Sequence, residues 1–320
     1  MANLTTSWLG MSLTSPLVVA ASPLSQDAGA VAAAVEAGAG AVVMYSLFEE
    51  DLVAEQSAPR GFVGVDPYLR HVEALRVRVG VPVVASLNGT TPGGWTKYAR
   101  SLEGAGASAL ELNLYEVAAS PAVGGAELEF RQVDVVAAVV GAVGVPVTVK
   151  ISPFYSSVPA FVRRLEEVGA RGVTVFNRFY QPDISLETLA VDRRVGPSTA
   201  AVLPLRLHAL AVLAPFARLS LGCTGGVQTG LDAAKAILCG AHVVQVASAL
   251  LTRGPGYVGV MREELAGWLD RKRIGSVAAA RGRLGFGFTA DPHAWERLNY
   301  TRTLREWPAT GEGRQAGGEV

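Results

Sequence analysis

The stretch AAAVEAGAGAVVMYS, Ala32 to Ser46, decides the fold. It reads as a helical pattern, then Gly38-Ala39, then a β-rich run that ends on a small polar residue. The same shape returns in ARSLEGAGASALELN (Ala99 to Asn113), VRRLEEVGARGVTVFN (Val162 to Asn177) and AKAILCGAHVVQVAS (Ala234 to Ser248). The glycines of the four pairs, Gly38, Gly106, Gly169 and Gly240, lie 68, 63 and 71 residues apart, about twice the length of one strand–helix unit. A glycine there is the left-handed cap that ends a helix and turns the chain back into a strand.

The intervening units follow from this spacing. VGVPVVASLNG (Val79 to Gly89) and VGVPVTVKISP (Val143 to Pro153) share a Gly-Val-Pro lead into a strand, LSLGCTGG (Leu219 to Gly226) supplies the seventh, and PLVVAAS (Pro16 to Ser22) opens the series. Eight short, continuously apolar strands with helices between them are what a parallel sheet buried on both faces requires. They predict an α/β chain folded as a single-domain (β/α)8 TIM barrel, with an open doubly wound sheet as the rival. The barrel with a C-terminal helical segment is expected over residues 1–307, and a disordered tail over 308–320.

Composition narrows the function classes. Hydrophobic residues make up 50% of the 320 and charged ones 18%, enough for a large core and too apolar for a disordered chain. Lys+Arg and Asp+Glu both total 28, which argues against a basic nucleic-acid-binding face. Two cysteines cannot build a disulfide framework or hold an iron–sulfur cluster, so a reducing, cytoplasmic setting is expected. The apolar stretch Val135 to Val149 is broken by Gly141, Gly144 and Pro146 and reads as helix, turn and strand rather than a membrane span. No basic region precedes the first apolar run, so no signal peptide is expected. Only four of the 28 cations are lysines, Lys97, Lys150, Lys235 and Lys272, which makes any lysine in an unusual place informative.

Barrel chemistry sits at the C-terminal ends of the strands, and phosphates bind in the loops after strands seven and eight. The first strand ends Ala20-Ala21-Ser22-Pro23, the second Tyr45-Ser46 (followed by Leu47-Phe48-Glu49-Glu50) and the third Ser86-Leu87-Asn88-Gly89. On the fourth, Glu111 and Asn113 share one face, and Tyr115-Glu116 follow. The fifth ends on Lys150. That ammonium could face an anionic cofactor, form a Schiff base, or simply pair with Glu111. The sixth ends Phe176-Asn177-Arg178, so the two amides of Asn113 and Asn177 suit a ligand with imide or amide edges. After the seventh come Thr224-Gly225-Gly226 and a helix start at Thr229 with Asp232; the eighth ends Ala247-Ser248. Together these predict a phosphate cradle. None of the four histidines falls at a strand end suited to catalysis, which argues against a zinc site or a histidine triad, and Cys223 and Cys239 are not spaced as metal ligands.

Taken in order, AAS with Pro23, ELN, VKISP, FN, TGG and VQVAS resemble the dihydroorotate dehydrogenases, more narrowly the dihydroorotate dehydrogenase-like proteins, from about Leu4 to about Tyr300. The resemblance implies a flavoprotein oxidoreductase of pyrimidine biosynthesis with flavin mononucleotide (FMN) on the barrel mouth. It implies Ala21 and Ser22 beside the flavin, with Ser46 and Asn88 also lining it. Lys150 would face the N1/C2 edge, and Asn113 and Asn177 would touch cofactor and substrate. Gly225, Gly226, Ala247 and Ser248 would take the phosphate. A proton would leave a carbon of a dihydropyrimidine-like small substrate while hydride passes from its neighbour to flavin N5.

The chain departs from the family pattern at several positions. Tyr45 stands where the family has lysine, and Tyr115-Glu116-Val117-Ala118 replaces its Ser-Cys-Pro-Asn, so base and asparagine are both exchanged. The asparagine expected after the second strand is absent between Ser46 and Leu87, and Arg178 follows the sixth-strand asparagine where a small hydroxyl residue is usual. Glu116 is thus the candidate base and Arg178 the candidate partner of a substrate carboxylate, with a loop-surface role as the alternative for each. Two other functions stay open: a Lys150 Schiff-base lyase or aldolase acting on a phosphate-bearing substrate, and a non-catalytic flavin-binding subunit of a redox complex. The expected partners are the substrate and either a redox protein or a second copy of the chain, with no nucleic acid and no membrane. The membrane-bound branch of the family carries an N-terminal extension, which a first strand near Leu17 is expected to exclude.

Overall fold

Each Gly-Ala pair closes a helix in the same way. Gly38, Gly106, Gly169 and Gly240 take φ of +105°, +87°, +93° and +120°. The glycine N–H bonds the carbonyl three residues back (Val35, Glu103, Glu166, Ile237), and the alanine N–H bonds the one five back (Ala34, Leu102, Leu165, Ala236). This double bond pattern is the Schellman motif. It explains the alanine as well as the glycine, because Ala39, Ala107, Ala170 and Ala241 are all buried where the chain re-enters the barrel.

The computed structural model describes residues 1–48, 65–88, 92–193 and 195–307. The eight barrel strands are β3 (Leu17–Val19), β4 (Ala41–Phe48), β5 (Val83–Asn88), β6 (Ala109–Asn113), β7 (Val147–Ile151), β8 (Gly172–Val175), β11 (Ser220–Thr224) and β12 (Val243–Val246). All neighbours are parallel and the ring closes in the order β11-β12-β3-β4-β5-β6-β7-β8. Helices between them cover the outside, so the chain is the (β/α)8 barrel the repeat predicts. β4 runs past Ser46 to Phe48, with a register irregularity between Val43 and Ser46 that the alternation does not reveal. Glu49, Glu50, Gly89 and the tail 308–320 lie outside the described residues.

Strand periodicity sorts the side chains. Leu110 and Leu112 on β6 face the helices, while Ala109 belongs to the interior cluster, with Glu111 and Asn113 above it on the same face. An antiparallel hairpin of β1 (Thr6–Trp8) and β2 (Met11–Leu13) precedes the barrel, turning through Leu9 and Gly10 at φ +54° and +81°. Its Trp8, Leu9 and Leu13 pack against Val18, Ala41, Val43, Val84, Ala109 and Val243, closing the N-terminal end of the barrel with an apolar floor. The sequence pattern gives no warning of this hairpin, since three-residue strands carry too little alternation to read. A second small hairpin, β9 (Asp183–Ser185) with β10 (Ala190–Asp192), follows β8.

The chain divides into two units, Met1–Gly285 and Phe286–Val320. In the second, the helix Pro292–Glu306 starts at Asp291, whose carboxylate accepts the Ala294 N–H at 2.9 Å. Among the described residues no helix is long and apolar enough to cross a membrane.

His242, at the start of β12, gives the first unit a measurable acid sensitivity. Its Nδ1 accepts the Leu221 N–H at 3.0 Å, so the bonded form is the neutral ring. Burial, with Arg281 adding to it, lowers its pKa from 6.5 to about 4. The stabilisation is complete above pH 6.5, the unfolded value, and is lost as pH falls through about 4, by roughly 3 kcal/mol in all. His242→Gln keeps an acceptor but does not titrate. Urea midpoints at pH 7 and pH 5 are expected to differ less in this variant than in the parent. Equal differences would remove His242 as the source.

Candidate active site

The polar layer above the apolar floor is centred on an ion pair. Lys150 Nζ, at the C-terminal end of β7, lies 2.7 Å from Glu111 Oε1 on β6, and the Glu111 side chain is wholly buried. The other carboxylate oxygen accepts from Gln245 Nε2 on β12 at 2.6 Å and from Thr174 Oγ1 on β8 at 3.3 Å. Gln245 Nε2 also reaches Thr174 Oγ1 at 3.2 Å. Three neighbouring and facing strands, β7, β8 and β12, therefore hold the one carboxylate that β6 supplies. Among the described residues Lys150 spends one of its three donors on Glu111 and has no second acceptor.

The two amides meet beside it. Asn177 Nδ2 donates to the Leu114 carbonyl at 3.0 Å and approaches Asn113 Oδ1 at 3.5 Å, which orients the Asn177 amide. That leaves Asn177 Oδ1 buried with no partner among the described residues, and Ser22 Oγ at the first strand end is in the same state. A buried polar atom left unpaired costs about 1–3 kcal/mol, so two at the C-terminal ends of barrel strands β3 and β8 point to a ligand with polar edges. Ser46 Oγ bonds Ser86 Oγ at 2.9 Å, Asn88 is buried at the end of β5 in register with Asn113, and Ala21 is half-buried beside Ser22.

The loops expected to form a phosphate cradle follow β11 and β12. Gly225 and Gly226 take φ of +92° and +82°, and a Cβ on Gly226 would lie 2.7 Å from the Leu203 backbone nitrogen. Thr229 and Asp232 form a reciprocal capping box at the start of the helix Gly230–Leu238. Ser248 opens the helix that follows β12. Two further residues belong here that the strand-end rule passed over. Ser198 Oγ accepts the Gly226 N–H at 3.3 Å and bonds Ser248 Oγ at 2.9 Å, so a loop from the β8–β11 connection crosses the cradle. Arg206, on the helix Leu203–Leu213, donates from Nε to the Thr224 carbonyl at 3.1 Å. A signal for Arg206 was present in the sequence: it stands in phase with Leu203, Leu210 and Leu213, on the face of the helix that is buried.

The candidate base and carboxylate partner are placed differently. Glu116 is held by Arg131 at 3.3 Å and Gln132 Nε2 at 3.4 Å, both from the helix Gly125–Val140. Arg131 is half-exposed, and such a pair contributes well under about 1 kcal/mol, so the carboxylate is tethered weakly. Arg178 is exposed next to Asn177. Tyr115 OH accepts the Tyr180 N–H at 2.9 Å, and its ring stacks on Phe179 with centroids 5.5 Å apart, giving the mouth an aromatic wall. A cavity of about 1160 Å³ opens at the other end of the barrel, lined in part by Leu9, Gly10, Pro146, Arg171 and Ser220, and contains none of these residues.

A family model described as dihydroorotate dehydrogenase matches residues 58–269, which spans the third to the eighth barrel strand and the whole cradle. The chain belongs to the dihydroorotate dehydrogenase family. A Methanosarcina acetivorans relative named dihydroorotate dehydrogenase B (NAD(+)), catalytic subunit, is 30% identical over 291 residues, 84% of this chain and 92% of its own length. A Methanocella arvoryzae relative of the same name is 27% identical over 283 residues, 83% of this chain and 92% of its own. An Aeropyrum pernix chain named as a type A (fumarate) dihydroorotate dehydrogenase is 36% identical over 183 residues, 55% of this chain but only 58% of its own length. Membership makes this a barrel of the oxidoreductase class, and it sharpens the departures: the family's Ser-Cys-Pro-Asn segment is here Tyr115 to Ala118.

Proposed function

We propose that the chain is an FMN-dependent oxidoreductase that removes hydrogen from adjacent carbons of a small dihydropyrimidine-like ring. The observation that carries this reading is the cradle: paired left-handed glycines, of which Gly226 has no room for a Cβ, backed by a capped helix N-terminus, with oxygens on Ser22 and Asn177 that are buried and without partners among the described residues. FMN, when bound, supplies the hydride acceptor at N5. Gly225, Gly226, Ser198, Ala247 and Ser248 hold its phosphate, and Ala21, Ser22, Ser46 and Asn88 pack along the ring. Lys150 would place its amino group at the mouth beside the reacting ring, where it would stabilise negative charge on the reduced cofactor. Asn113 and Asn177 orient the substrate, Arg178 takes its carboxylate, and Glu116 receives a proton from substrate carbon once it swings from Arg131.

Dihydroorotate is the first substrate to test. Anaerobic mixing with the FMN-loaded protein is expected to bleach the visible flavin band, roughly 10²–10⁴-fold more slowly in Glu116→Gln if that carboxylate is the base. A flavin that dithionite reduces but dihydroorotate does not would overturn the substrate assignment. Equal rates in parent and variant would remove Glu116. With two cysteines the chain cannot itself hold an iron–sulfur cluster, so electrons leave to a small oxidant or a separate protein.

A further inference from the structure

Arg206 is a buried cation with no carboxylate partner among the described residues. Its residue is 8% exposed, its Nε and Nη1 donate to the carbonyls of Thr224 and Val202 at 3.1 and 2.9 Å, and no acidic side chain lies in ion-pair range among the described residues. The guanidinium sits against the cradle: a Cβ built on Gly225 would meet Nε and Nη2, each at 3.1 Å. Its other side is closed by the Phe176 ring, 5.8 Å away and itself buried. Burial disfavours its charge. Two neutral carbonyls satisfy its hydrogen bonds but not that charge, and buried charges in proteins are paired or held for an ion. Gly225, within contact range of Nε and Nη2, is where the guanidinium adjoins the cradle.

We infer that Arg206 is a specificity-determining residue that makes the cradle select a phosphorylated flavin over its unphosphorylated form. It does so by placing a fixed positive charge behind the Gly225-Gly226 backbone rather than by touching the ligand. This rests on the FMN reading. The backbone N–H groups alone bind any oxyanion geometry; a cation a few ångströms behind them adds attraction in proportion to the charge of the guest, and being buried it is little screened by salt. A residue of this kind leaves binding of the flavin ring untouched and acts on the phosphate alone.

The test is the ratio of FMN to riboflavin affinity, read by flavin fluorescence in titrations of the apoprotein. Arg206→Met is expected to lower that ratio roughly 10–100-fold, with riboflavin affinity nearly unchanged. Arg206→Lys keeps the charge without the fork and is expected to retain most of the ratio, which keeps the inference testable should the methionine variant fold poorly. An unchanged ratio in Arg206→Met, or a ratio that collapses in Arg206→Lys as well, would overturn the inference while leaving FMN binding in place. A parent protein that binds neither flavin would remove the FMN reading and the inference together.

Discussion

Lys150→Met is expected to slow reduction of the bound flavin by substrate roughly 10²–10³-fold, the usual cost of losing one preorganised charge from a reacting site. It is also expected to destabilise the fold by about 3–5 kcal/mol, because Glu111 is then a wholly buried carboxylate whose remaining partners among the described residues are Gln245 and Thr174. The two effects come apart in a double variant. Lys150→Met with Glu111→Gln removes the stranded charge, so unfolding midpoints should return most of the way to the parent value, while the reduction rate should not recover. Lys235 is the control: it is 58% exposed and pairs with Asp232 at 3.2 Å on the outside of the barrel, so Lys235→Ala should change neither. Denaturant titration and anaerobic stopped-flow of the same four proteins decide the matter. Recovery of the rate in the double variant would mean that Lys150 serves only to neutralise Glu111.

Gly226→Ala is expected to abolish FMN retention while the barrel still folds. The residue takes φ +82°, and an added Cβ would lie 2.7 Å from Leu203 N and 3.0 Å from Leu203 Cα, both backbone atoms that cannot rotate away. The left-handed conformation alone costs about 1–3 kcal/mol for a residue with a side chain, and relief of the clash must move either the cradle or the helix Leu203–Leu213 that carries Arg206. Gly10→Ala separates strain from site. Gly10 has nearly the same φ, +81°, with nothing within 4 Å of a Cβ, and it lies in the hairpin that floors the opposite end of the barrel. It should lower the thermal midpoint and leave flavin binding intact. Equal FMN affinity in Gly226→Ala and the parent would show that the cofactor does not use this loop.

What the sequence discloses follows from which interactions are local. The Gly-Ala pairs are legible because a Schellman turn needs one residue at positive φ and a small buried one after it, all within a few positions. Lys150 and Glu111 are legible as partners because strand ends of neighbouring units must meet at the barrel mouth: Asn113 is in register with Lys150, with Glu111 two residues below on the same face. Ser198 and Arg206 were missed because neither stands at a strand end; both reach the cradle from the long connection between β8 and β11. The floor hairpin is set by burial of Trp8 against the barrel interior, a long-range contact that leaves no periodicity behind. The hold of Arg131 and Gln132 on Glu116 is likewise invisible, since a residue's position after a strand does not say which way its side chain turns.

The central claim is that this barrel mouth holds FMN, and the visible absorption spectrum of the protein after incubation with FMN and removal of free ligand tests it most directly. Stoichiometric flavin retained by the parent, and lost by Gly226→Ala but kept by Gly10→Ala, is the expected result. A parent protein that emerges without a flavin band would contradict it.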